Sequence, residues 1–206
     1  LRRLQVAESD LVGAPGALYF ISGQYVASDD ADFGNQGNNA SYRRVNVSAS
    51  GNHNLSFVGS TQQQQPGIQA WQDNQPSVTL VDVQVPNEGL FIVGYDVTDN
   101  GNGTYNYEYA VYNMYSDRSA RSFTIPYPAG ATILSHGFKD IPWHSGEPFD
   151  GTDWAATLNP GIGITWETDT FAANQNANAL RWSMMFNFYF TSDPPPATNT
   201  AIMGLF

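Results

Sequence analysis

Four residues able to ligate a hard cation fall in one short run, His144, Glu147, Asp150 and Asp153, inside HSGEPFDGTDW. Spacing of this kind lets several oxygens converge in a turn, as Ca²⁺ requires. The same run contains Glu-Pro and Asp-Gly, ordinary turn pairs whose carboxylates can simply bond nearby backbone. His136 lies a few residues upstream, where it could meet His144 across the Gly137–Trp143 loop. Two imidazoles with a carboxylate would suit Zn²⁺ or Cu²⁺, although this spacing matches no helix-borne metal motif.

Two further acidic runs invite the same question. Asp29, Asp30 and Asp32, followed by Asn35, Asn38 and Asn39, lack the spaced bidentate Glu of an EF-hand and read as a solvated loop. Asp99-Asn100-Gly101-Asn102-Gly103 imitates the opening of a calcium loop, but the strand-like segments on both sides explain it as a hairpin turn. For glycoside hydrolysis, which needs two carboxylates held around the bond, Glu108, Glu147, Asp150, Asp153 and Glu167 are available. Serine-nucleophile and phosphate-cradling signatures are absent, and with no cysteine there is no thiolate chemistry and no disulfide.

Aromatic residues offer another chemistry. The chain holds 5 Trp, 11 Tyr and 12 Phe, enough to stack on sugar rings while Asn, Gln and Asp bond hydroxyls. Trp71 and Trp143, both in loop-like sequence, are the expected exposed platforms of a ligand site, and His136 is the third candidate ligand-binding residue. Trp154, Trp166 and Trp182 are expected inside.

The elements that must position these residues read as strands. Leu18–Ser28, Tyr42–Val47, Leu55–Val58 and Val78–Val85 mix β-branched, aromatic and polar residues at a period near two, with a loop at Asp29–Asn39 and one helical turn at Pro66–Asp73. Phe91–Thr98 and Thr104–Tyr112 should pair as a hairpin, with Tyr105, Tyr107, Tyr109 and Val111 on one face. Strands follow at Ser119–Ile125, Thr132–Phe138, Trp154–Leu158, Ile162–Glu167, Leu180–Thr191 and Ala201–Phe206. In the long segment Trp182, Met184, Phe186, Phe188 and Phe190 share a face. Many short strands with regular turns and no amphipathic helix predict an all-β fold, an antiparallel β-sandwich of Ig-like or jelly-roll-like kind. A composition change near Asn87–Gly89 suggests an N-terminal β sub-domain over 1–88 and an Ig-like sandwich over 89–206, or one continuous domain over 1–206.

Charge excludes one partner class. A net charge of −11, from 19 acidic against 8 basic residues, leaves no basic patch for nucleic acid. No apolar run approaches the length of a membrane-spanning helix. The opening Leu1-Arg2-Arg3-Leu4 reads as a truncated or processed product.

The strings LQVAESD (4–10), DNGNGTY (99–105), SDRSARSF (116–123) and HSGEPFDGTDW (144–154) resemble a family of large secreted hypothetical proteins of planctomycete-type bacteria. The resemblance spans the chain as the C-terminal part of such proteins. It implies a bacterial source, export to the cell exterior or surface, and an N-terminal portion of the precursor as a partner, but no activity. Tyr107-Glu108-Tyr109, Phe123 and Pro128-Ala129-Gly130 are similar to Ig-like modules of bacterial surface proteins. The sequence therefore points to an extracellular structural or binding module without catalysis. Its expected partners are a glycan, a cell-surface protein, or another copy through exposed strand edges such as Ala201–Phe206. The alternative is a lobe of a secreted polysaccharide-active enzyme dependent on Ca²⁺.

Overall fold

The computed structural model describes residues 6–12, 15–49, 51–142, 144, 146–196 and 200–206. The fold is all-β, and every strand pairing in it is antiparallel. The chain forms two compact units, residues 1–76 and 77–206.

The first unit contains α1 (Glu8–Val12), β1 (Tyr19–Gln24), α2 (Ser28–Asp32), β2 (Ala40–Val47), β3 (Leu55–Gln62) and α3 (Gln69–Asn74). Its sheet has the order β1-β2-β3. Tyr42 of β2 packs edge-on against Phe20 of β1 at 5.8 Å between ring centroids, and its hydroxyl donates to the Asp73 carboxylate on α3. The expected loop over Asp29–Asn39 instead begins inside α2. Asp29 and Asp30 sit in the first turn of that helix, where a negative charge complements the unpaired N–H groups. Asp30 accepts a hydrogen bond from the Asn39 amide, so this acidic cluster closes on its own segment.

The second unit contains β4 (Thr79–Val85), β5 (Gly89–Asp99), β6 (Tyr105–Asn113), β7 (Ala120–Ile125), β8 (Ile133–Lys139), β9 (Ala155–Asn159), β10 (Gly163–Glu167), β11 (Met185–Ser192) and β12 (Ile202–Leu205). One sheet has five strands, in the order β4-β5-β6-β11-β8, and the other has four, β12-β7-β10-β9. The division falls before β4 and not at 88/89. The cause is pairing: β4 lies against β5 continuously from Thr79 opposite Tyr95 to Val85 opposite Gly89. Pro86 and Asn87 make the tight turn between them, Asn87 at φ +63° and the Glu88 N–H donating to the Val85 carbonyl at 3.1 Å.

The hairpin of β5 and β6 forms as its turn chemistry predicts. Gly101 and Gly103 take positive φ, the Asp99 carboxylate accepts from the Gly101 N–H at 2.8 Å, and Asn102 accepts from Thr104 N–H at 3.1 Å. Asp99 and Asn102 thus each place a side-chain oxygen on the loop's own backbone. Tyr107, Tyr109 and Val111 face the opposite sheet as their spacing implies, joining Phe123, Trp154, Trp166, Phe186, Phe188 and Phe190 in one core. Phe188 is the centre of that core. Its ring lies 4.8 Å from Phe123, 5.3 Å from Phe138, 5.6 Å from Trp154 and 5.4 Å from Trp166.

The segment expected as one strand from Leu180 to Thr191 is two pieces. Leu180 bridges Ala120 of the four-stranded sheet, and Met185 starts β11 in the five-stranded one. Between them Ser183 adopts φ +59° and the Met184 N–H turns back to the Arg181 carbonyl at 3.2 Å. The crossover breaks the alternation, so Trp182 is 44% exposed and not in the core, whereas Trp154 and Trp166 are buried as expected.

Candidate functional site

The acidic, histidine-bearing loop is built inward. His144 is buried, and its Nε2–H donates to the Asp150 carbonyl at 3.1 Å. The Asp150 carboxylate accepts from the Thr152 N–H at 3.2 Å and from the Asn174 amide at 2.9 Å. The Glu147 N–H donates to the His144 carbonyl at 3.0 Å, closing a turn, and Asp153 is exposed. Arg181 fastens the loop: its guanidinium lies 3.6 Å from the centre of the Phe149 ring, a cation–π contact, and donates to the Gln175 and Ala177 carbonyls. Among the described residues, no group of three or more His, Asp or Glu side chains is arranged to hold a metal ion. His144 and Asp150 thus bond within their own loop, and Glu147 closes a turn beside them.

The expected ligand-binding residues fall in separate places of the chain's two units. His136 is an exposed position of β8, opposite Phe190 of β11, and no hydrogen bond or ring contact joins it to His144 among the described residues. Trp71 belongs to the first unit, half-buried on α3, with its indole N–H donating to Gln75 at 3.3 Å. Trp143 lies outside the described residues.

One titrating group in this region went unnoticed in the sequence. Burial pushes the Asp140 carboxyl above its usual range; a hydrogen bond from the Asn178 amide opposes the shift and the neighbouring Asp153 charge adds to it. A carboxyl whose folded-state pKa is raised gives stability fully present below the ordinary carboxylate pKa and lost as pH rises through the raised value. Asp140→Asn keeps an acceptor for Asn178 and removes the proton equilibrium. Denaturant midpoints measured across a pH series should show wild type losing stability relative to Asp140→Asn as pH climbs through that window; parallel curves would contradict this.

The cavity of the second unit lies elsewhere, where the two sheets fail to match. On the β11 side the inward Phe186 and Phe188, and Trp166 of β10, are fully covered, at 0–1% exposure. On the β4–β5 side the inward residues Val83, Val85, Val93, Tyr95 and Val97 are only half-buried. Opposite them stands β12 alone, presenting Met203 and Leu205. The result is a cleft of about 750 Å³ between the sheets, reaching Tyr107, Tyr109 and Phe123 at its inner end. That volume falls within the range typical of small-molecule and cofactor sites.

The cleft is chemically plain. Its walls are aliphatic and aromatic; Gln84 donates to the Gly89 carbonyl at 3.0 Å and the Tyr107 hydroxyl to the Pro194 carbonyl at 2.9 Å, and the hydroxyls of Tyr95, Tyr109 and Thr200 complete its polar side chains. Burial and the neighbouring Tyr105 push the Tyr107 phenol up to about 12, and burial foremost raises Tyr109 further, so both stay neutral at ordinary pH. No carboxylate, imidazole or amine lines it. Such a surface rewards burial of apolar area and gives nothing to proton transfer.

The sequence held one signal for this site. Val81, Val83 and Val85 share a face of β4, but alternation alone does not tell whether that face meets a partner. Compared with known proteins, the chain matches no family model, no curated protein and no solved structure.

Proposed function

We propose that the chain is an extracellular bacterial β-sandwich module that acts by binding, not catalysis, and that the cleft between β4–β5 and β12 is its binding site. The observation that carries this reading is the half-covered apolar wall of Val83, Val85, Val93, Tyr95 and Val97 facing a single short strand. Covering such a wall contributes roughly 25 cal/mol per Å² of apolar area removed from water. The carboxylates and histidines that a polysaccharide-active enzyme would use, Glu108, Glu147, Asp150, Asp153, Glu167, His136 and His144, do not line the cleft. Export and a cell-surface setting follow from the family resemblance.

An apolar cleft favours an apolar partner over a glycan, whose hydroxyls would be buried there with few partners. Thermal-shift titrations of the intact chain against neutral apolar compounds, soluble glycans and Ca²⁺ separate these cases. Stabilisation by apolar compounds, lost in Val83→Asp, is the expected pattern. Stabilisation by glycans or Ca²⁺ alone, or turnover of a polysaccharide, would overturn the proposal.

A further inference from the structure

We infer that the natural occupant of the cleft is an extended segment of a different polypeptide, apolar at alternate positions and poor in acidic residues, which pairs with the free outer edge of β12. This rests on the cleft being the binding site and goes on to say what fills it.

Strand count is the first support. Five strands face four, and the unmatched strand is β4: beyond β12 the four-stranded sheet stops, while the facing sheet continues. A strand added beside β12 would lie over β4 and make the two sheets equal. Its inward side chains would meet Val81, Val83 and Val85, which recur at period two along β4 and so accept side chains from every second residue. Val81, at the mouth, is 44% exposed.

Hydrogen bonding is the second support. A small molecule in a pocket is oriented by a few convergent polar groups, and here Gln84 and Tyr107 are already bonded within the protein. Beside the hydroxyls of Tyr95, Tyr109 and Thr200, what the cleft offers is backbone. β12 uses one edge to pair with β7, from Ile202 opposite Thr124 to Leu205 opposite Ala120, and no strand among the described residues pairs with its other edge. Main-chain donors and acceptors beside an apolar trough are the recognition pattern of strand addition, in which backbone pairing supplies register and the trough selects alternate side chains. A net charge of −11 disfavours an acidic segment.

The test is selection from a display library of random peptides on the intact chain, with Val83→Asp as counter-target. Val83 is only half-buried, and a second variant, Val83→Trp, fills the trough without introducing charge. Enrichment of peptides with apolar residues at alternate positions, bound by wild type and by neither variant, is expected. N-methylation of alternate amides in a selected peptide should weaken binding about tenfold or more when it falls on the edge facing β12, and little on the other edge. Equal effects on both edges, or no enrichment while apolar compounds still bind the cleft, would overturn the strand and leave the cleft as a small-molecule site. Concentration-dependent self-association blocked by both variants would replace the foreign segment with a second copy and overturn this assignment. Absence of any Val83-dependent binding would count against the cleft itself.

Discussion

Gly89→Ala should be the most damaging single-atom-scale change in the second unit, costing about 2–6 kcal/mol of its stability. Gly89 opens β5 at φ +142°, a backbone conformation almost closed to residues with a side chain. A Cβ built there would stand 2.3 Å from the Tyr115 carbonyl oxygen and 2.6 Å from the Ser116 Cα. Both are backbone atoms, so no rotamer change relieves the clash. The surrounding structure is equally committed: the Met114 N–H donates to the Leu90 carbonyl at 3.0 Å, and buried Asn113 bonds Ser116 and Leu180 main-chain atoms. Strain of about 1–3 kcal/mol for the dihedral and a similar amount for the overlap sum to a large part of a domain's stability. Denaturant titration of Gly89→Ala should show a midpoint lowered by that loss; a shift below about 1 kcal/mol would mean the β4–β5 turn is not built as described.

Phe188→Ala should cost about 3–5 kcal/mol, the range for truncating a buried aromatic. Phe188 is 1% exposed and touches rings from both sheets, Phe123 and Trp166 on one and Phe138 on its own, together with Trp154. Neighbours held by so many mutual ring contacts have little freedom to collapse into the space. Val83→Ala makes a useful comparison because Val83 lines the half-covered cleft, where truncation removes contacts that are only partly made. Measured by the same titration, Phe188→Ala should exceed Val83→Ala several-fold. Equal losses would show that the cleft side is as tightly packed as the core, contrary to the architecture described.

The contrast between those two positions also marks where sequence reading runs out. Local chemistry was legible: the Asp-Asn-Gly run between β5 and β6 carries its own hydrogen bonds, and the period-two pattern of Tyr107, Tyr109 and Val111 needs only the pleat. The Leu180–Thr191 segment was not, because its alternation runs on through a change of sheet that depends on Ala120 and Asn113, both distant in sequence. Trp182 was misplaced for that reason. The surroundings of the candidate site were illegible for the same reason. His144, Glu147, Asp150 and Asp153 are close in sequence, but the residues that hold their loop, Asn174, Asn176 and Arg181, are distant, and the cleft arises from strand pairing that no local pattern encodes.

The central claim, that the cleft between β4–β5 and β12 takes an apolar partner, is tested most directly by titrating the intact chain with a neutral solvatochromic dye such as Nile red. Wild type should give saturable, blue-shifted fluorescence, and Val83→Trp, with a wild-type circular dichroism spectrum, should weaken the binding about tenfold or more. Binding that is equally strong in a well-folded Val83→Trp variant, or no saturable binding by wild type, would contradict the account.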